Sequence, residues 1–125
     1  MEKVTGIGGF FFRAQKPDEL ALWYTQNLGI NPAPPDYDTP SWQQQAGSTV
    51  FAPFEAATDY FGKVEQQWMI NFRVRDLNAM VEQLRKNGNT VTVDEQTYPN
   101  GRFAQLADPE GNPIQLWQAA GADVV

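Results

Sequence analysis

The sequence predicts an α+β fold, and three observations predict it. The order strand, helix, then about three strands runs through the 125 residues twice. Two short helical patterns each end on a glycine, Gly29 and Gly88, which lie 59 residues apart. Phe12-Arg13 and Phe72-Arg73, 60 residues apart, hold the same place ahead of each helix. A repeat this long and only twofold is not a solenoid, and a duplicated βαβββ module is the better reading. Module one covers about 1–56 and module two about 66–120, within a single domain of residues 1–125. Each module can bury one sheet face against one helix, so pairing two leaves a concave sheet surface for other use.

The elements follow in order. Val4 to Arg13 is an apolar, aromatic and glycine-rich run ending in Phe10-Phe11-Phe12, and it predicts a strand. Pro17 suits a first helical position, and Asp18 and Glu19 complement the helix dipole in the first turn. Leu20, Trp23, Tyr24 and Leu28 follow at helical spacing, and Gly29 is a C-cap. Asn31 to Pro40 holds four prolines and is a connector. Trp42–Ala46 and Ser48–Phe54 predict two strands meeting at Gly47, and Glu55–Val64 has no period and reads as a linker. In the second module Trp68–Arg75 is a strand pattern. Asp76 is an N-cap for a helix carrying Leu77, Met80, Val81 and Leu84, and Lys86 and Gly88 mark its end. Thr90–Thr97 is β-rich, Asn100-Gly101 signals a hairpin, and Phe103–Ala107 returns. Asp108-Pro109-Glu110-Gly111-Asn112 is a turn, and Pro113–Gln118 is the last strand.

Composition excludes much chemistry. The chain has no His, no Cys and only two serines, Ser41 and Ser48. It therefore supplies no imidazole or thiolate to zinc, haem or an iron–sulfur cluster. Ser-His, Cys-His and thiol-redox mechanisms are excluded as well. The net charge of −6 leaves no basic stripe to neutralise phosphates, which argues against a nucleic-acid partner. No apolar run approaches the ~20 residues of a membrane span. The N-terminal residues show no signal-peptide pattern, and a cytoplasmic location is the default expectation.

The two cycles, Phe10-Phe11-Phe12-Arg13, Trp23-Tyr24 with Leu28-Gly29, Phe72-Arg73-Val74-Arg75-Asp76-Leu77, and Gly101-Arg102-Phe103 resemble the vicinal oxygen chelate superfamily. The Asp108–Asn112 turn running into Pro113-Ile114-Gln115-Leu116-Trp117 is the most specific part of that resemblance. The superfamily includes glyoxalases, extradiol dioxygenases and bleomycin resistance proteins. The resemblance implies two modules cupped into incomplete-barrel mixed sheets with helices outside, and a homodimer. Metal-using members hold a divalent ion with His, Gln or Glu on four strands. By register those positions fall on Gly9, on or near Phe51, on Met69 and on Gln115. Three of the four cannot ligate a hard cation, so neither a metal nor another cofactor is expected.

Strand alternation then gives a candidate ligand surface. Phe11 and Arg13 share the face of Gly9; Met69, Asn71 and Arg73 share another; Gln115 and Trp117 a third; and Phe51 and Trp42 join from module one. This is an aromatic basin with amides and two arginines, suited to a small aromatic or amphipathic organic ligand. Each residue also has a plainer role: packing for the aromatics, ion pairing for Arg13 and Arg73, internal hydrogen bonds for Asn71 and Gln115. Tyr98 and Arg102 flank the hairpin, either leaning over the cleft or lying on the surface. Asp94-Glu95 point to opposite faces and make no catalytic pair, and no residue is singled out as catalytic. Three functions stay open. The favoured one is metal-independent small-molecule binding. The alternatives are a metal-dependent lyase, isomerase or dioxygenase drawing on Glu55, Asp59 or Glu65, and an interaction module whose cleft is filled by its own side chains.

Overall fold

The computed structural model describes residues 1–124. Its elements are α1 (Pro17–Leu28), β1 (Ile70–Arg73), α2 (Leu77–Lys86), β2 (Thr92–Val93), β3 (Gly101–Ala107) and β4 (Pro113–Ala119), followed by a 3-10 turn at Gly121–Asp123. The sheet runs β1-β4-β3-β2, with β1 parallel to β4 and the other pairs antiparallel. This is the βαβββ connectivity expected of the second module. The fold is α+β, its mixed sheet open rather than closed into a barrel.

Both helices cover one face of that sheet. Ile114 and Leu116 of β4, with Ala104 and Leu106 of β3, meet Leu77, Val81 and Leu84 of α2 and Leu20 and Tyr24 of α1. Leu77, Leu84, Ile114 and Leu116 are fully buried, each contributing about 1.5–3 kcal/mol by leaving water. The helix α2 begins where the sequence predicts, with Asp76 accepting from the Ala79 N–H at 3.0 Å. Arg85 and Lys86 sit in its last turn, the end that favours cations. The helix α1 ends on Gly29 in the left-handed conformation, whose N–H reaches Thr25 O at 3.1 Å. Its start has no local side-chain cap. Instead the Glu110 carboxylate, from the β3–β4 turn, accepts from the Gln15 and Lys16 N–H groups at 2.7 and 3.1 Å.

The same turn grips α1 a second time. Tyr24 donates its hydroxyl to Asp108 Oδ2 at 2.7 Å within the core. Asp108 also accepts from the backbone N–H groups of Glu110 and Asn112 and from Asn112 Nδ2. Burial, together with the neighbouring carboxylate, pushes the Tyr24 phenol well above its ordinary value near 10.

Ladder pairing is confined to the second module. The strands expected at Val4–Arg13, Trp42–Ala46 and Ser48–Phe54 do not form among the described residues, although the helix between them does. Gly6, Gly8 and Gly9 offer no side chains to fix a register, and Phe11 and Phe51 face outward at 95% and 89% exposure. Ring contacts hold the N-terminal run instead: Phe10 and Phe12 lie 4.9 and 5.3 Å from Trp68, and Phe12 lies 6.2 Å from Tyr24. The β-rich stretch Thr90–Thr97 contracts to Thr92–Val93, because the Asp94 side chain takes the Gln96 N–H and turns the chain. Tyr98 and Gly101 then close a two-residue hairpin with paired N–H to O bonds of 3.0 Å.

Candidate functional site

The sheet face turned away from the helices is built by register. Asn71 pairs with Gln115 and Arg73 with Trp117; across the next ladder Gln115 pairs with Gln105 and Trp117 with Phe103. One rung is therefore three amides, and the next is Arg73, Trp117 and Phe103. Side chains of neighbouring same-face rungs lie roughly 7 Å apart along the strands. Met69 precedes β1 in the same alternation and is half-buried.

The amide rung is linked. Asn71 Nδ2 donates to Gln115 Oε1 at 2.7 Å, and Gln115 Nε2 donates to the Tyr60 hydroxyl oxygen at 2.8 Å. Gln105 Nε2 approaches the same oxygen at 3.4 Å. Gln115 is buried at 9% exposure, so these bonds replace water at an amide that would otherwise be costly to enclose. In the aromatic rung Phe103 and Trp117 are parallel within 2°, their centroids 6.3 Å apart, and Tyr98 meets Phe103 edge-on at 5.8 Å. Tyr98 thus leans over this face, its hydroxyl donating to Asp94 Oδ2 at 2.8 Å; that bond raises its phenol above the ordinary value. Arg102 points the other way, to Asn78 of α2 at 3.0 Å.

Of the residues singled out in the sequence, Asn71, Arg73, Gln115 and Trp117 lie together on this face. Trp117 is 3% exposed and donates Nε1–H to Asn100 O at 2.8 Å, so it backs the half-buried Phe103 ring rather than offering its own face. Arg73 Nη2 donates to Gln45 O at 3.0 Å and ties module one's chain to the sheet. The Nη1 end of its guanidinium occupies the space a Cβ at Gly47 would take, so a side chain there would displace it. Trp42, at 39% exposure, lines the surrounding cleft together with Phe11 and Phe51, and Arg13 is exposed on the N-terminal run. Three contributors lie outside the sequence-derived set. Phe103 and Gln105 share the parity of Gln115 across one ladder, a period-2 signal that could have found them. Tyr60 sits in an aperiodic linker with no such signal.

This face contributes to the lining of a continuous space of about 3350 Å³, shared with the N-terminal run, residues 42–56 and parts of α1, α2 and the helix side of the sheet. Small-molecule sites occupy roughly 300–1,000 Å³, so the space exceeds what one ligand needs. Phe11 and Phe51 line it at 95% and 89% exposure, so their rings do not close it.

The donor set does not fit a hard divalent ion. Gly9, Phe51 and Met69 supply no oxygen or imidazole side chain, and the Gln115 oxygen already accepts from Asn71. Glu55, Asp59 and Glu65 do not replace them: among the described residues no three His, Cys, Asp or Glu side chains gather as metal donors. No helix among these residues is long and apolar enough to cross a membrane.

A βαβββ sheet backed by helices, with a face of amides and rings turned to a wide cleft, defines an α+β protein of the open-cleft type. Residues 9–117 match the glyoxalase-like domain family, and the chain belongs to that family and so to the vicinal oxygen chelate superfamily. TnmS3, an antibiotic binding protein from Streptomyces sp. CB03234, is similar at 19% identity over 96% of this chain and 100% of its own, with a TM-score of 0.61. A glyoxylase/bleomycin resistance protein/dioxygenase domain from Frankia sp. EAN1pec is similar at 16% identity over 94% and 99%, with a TM-score of 0.58. At these identities the likeness shows the fold alone. A glyoxalase/bleomycin resistance protein from the same Streptomyces is 31% identical over 42% of this chain. The match spans less than half (46%) of that protein, with a TM-score of 0.37. None of the curated proteins matches the chain.

Proposed function

We propose that this protein is a metal-independent small-molecule binding protein that takes a flat aromatic or amphipathic ligand on the open face of its sheet. The observation that carries this reading is the pairing of two adjacent rungs on one sheet face, one of linked amides and one of rings, with Gln115 of the amide rung at a register position where metal-using members of the superfamily place a ligand. Burial against Phe103 and Tyr98 supplies affinity, and the Asn71–Gln115–Tyr60 relay fixes orientation through directed hydrogen bonds. The similarity in fold to an antibiotic binding protein supports the class of activity without naming the ligand. The size of the cleft and the outward Phe11, Val50 and Phe51 support association with a second copy, which would cover these side chains.

The test is mass spectrometry of the protein purified without added ligand, first under native and then under denaturing conditions. A small organic molecule held in the native spectrum and released on denaturation is the expected result. A stoichiometric transition metal, with no organic ligand, would overturn the reading.

A further inference from the structure

Tyr60 brings a functional group to the site that no sheet residue supplies. Residues 55–66 form three successive turns, closed by Thr58 N–H to Glu55 O, Gly62 N–H to Asp59 O and Gln66 N–H to Lys63 O, each at 3.0 Å. Within this arm the Tyr60 ring stacks on Phe54 at 5.7 Å and 27°, and Phe54 meets Phe61 at 5.1 Å. The ring is thereby held over the sheet with its hydroxyl above the Gln105–Gln115 rung.

The hydrogen-bond directions decide what that hydroxyl offers. A phenol has one O–H donor and accepts through its oxygen. Among the described residues its partners at this site, Gln115 Nε2 and Gln105 Nε2, are both N–H donors, so the oxygen lone pairs are used and the proton is not. Two donated N–H bonds also polarise the phenol and strengthen it as a donor. Tyr60 is 45% exposed and faces the cleft, one rung from Phe103. The Gln105–Gln115 rung beneath the hydroxyl and the Phe103–Trp117 rung are neighbours, roughly 7 Å apart along the strands, so a fused aromatic system seated against Phe103 brings its edge toward the Tyr60 donor.

Resting on the binding role proposed above, we propose that Tyr60 is a specificity-determining residue of this site: its hydroxyl donates to an acceptor oxygen on the edge of an aromatic ligand seated against Phe103. The site thus selects planar ligands that carry a carbonyl-type acceptor over isosteres that lack one, because only the former satisfy the phenolic proton when water is displaced.

The experiment compares 9-fluorenone with fluorene, planar tricycles that differ by one carbonyl oxygen, by calorimetric titration of the full chain into each compound. The wild type is expected to bind fluorenone about tenfold more tightly than fluorene, the factor one hydrogen bond supplies. Tyr60→Phe keeps the ring and its stacking on Phe54; it is expected to lower fluorenone affinity to the fluorene level and leave fluorene unchanged. Gln105→Leu, which removes one N–H to Tyr60 while keeping the phenol, is expected to retain a preference for fluorenone. Equal binding of the two compounds by the wild type, or a tenfold preference surviving in Tyr60→Phe, overturns the role of Tyr60 while leaving the binding role intact. Binding of neither compound overturns both. Circular dichroism of each variant confirms that the fold is kept.

Discussion

The pair Tyr24–Asp108 joins residues 84 apart in sequence through one buried O–H to carboxylate bond. Tyr24→Phe removes that donor, but Asp108 Oδ2 keeps its bond from Asn112 Nδ2. The expected loss is about 1–2 kcal/mol in chemical denaturation. The pH dependence has a definite sign. The Tyr24 phenol is raised in the folded state, so its contribution is fully present below the ordinary tyrosine value near 10. It is lost as pH rises beyond that value, by about 1.4 kcal/mol per unit at most. Stability measured from pH 8 to 11 should fall at the alkaline end in the wild type, and fall less in Tyr24→Phe. An identical decline in both would exclude Tyr24 as its source. The sequence marks Asp108 as a turn residue and Tyr24 as part of an apolar helix stripe, and both hold. Their bond is invisible there, because nothing local links positions so far apart. Gln115 differs: its parity with Trp117 places it on the right face from alternation alone.

At the level of elements, the β3–β4 turn is a clamp on α1. Glu110 serves as the missing cap of that helix from across the fold, with the carboxylate also favoured at the positive end of the dipole. Glu110→Ala should cost about 0.5–2 kcal/mol, comparable to the loss from Asp76→Ala at the local cap of α2. Denaturation midpoints of the two variants check this, and an unchanged midpoint for Glu110→Ala would show that α1 does not depend on the turn. Gly101 starts β3 at φ 136°, where an added Cβ would strike the Gln118 backbone oxygen and lie 2.8 Å from Trp117 Nε1. Gly101→Ala should therefore weaken the hairpin and disturb the ring rung together. The elements of module two are legible because caps, alternation and turn residues agree there: Asp76, Asn100-Gly101 and Asp108–Asn112 each stand where an element changes. Module one's helix obeys the same signals. Its strand patterns do not yield strands, since apolar character states that a segment can pair and says nothing of what it pairs with.

Across the whole molecule, the contrast is between a packed half and an open one. Core residues concentrate between the two helices and one sheet face, whereas residues 1–13 and 41–56 present Val4, Phe11, Val50 and Phe51 to solvent around the cleft. A second copy covering these segments would give a solution mass of twice 14.0 kDa by light scattering, and a monomer at all concentrations would count against that arrangement. The absence of His and Cys, read with the register of the superfamily, points away from the metal chemistry of its enzymes before any geometry is known. Geometry adds that the Gln115 oxygen is engaged by Asn71 and that Tyr60 folds in from a linker. Fluorenone titration with and without EDTA is the most direct test of metal-independent binding of an aromatic ligand. Saturable binding with the same affinity in both conditions is the predicted result. Binding that disappears in EDTA and returns with added divalent metal would contradict it.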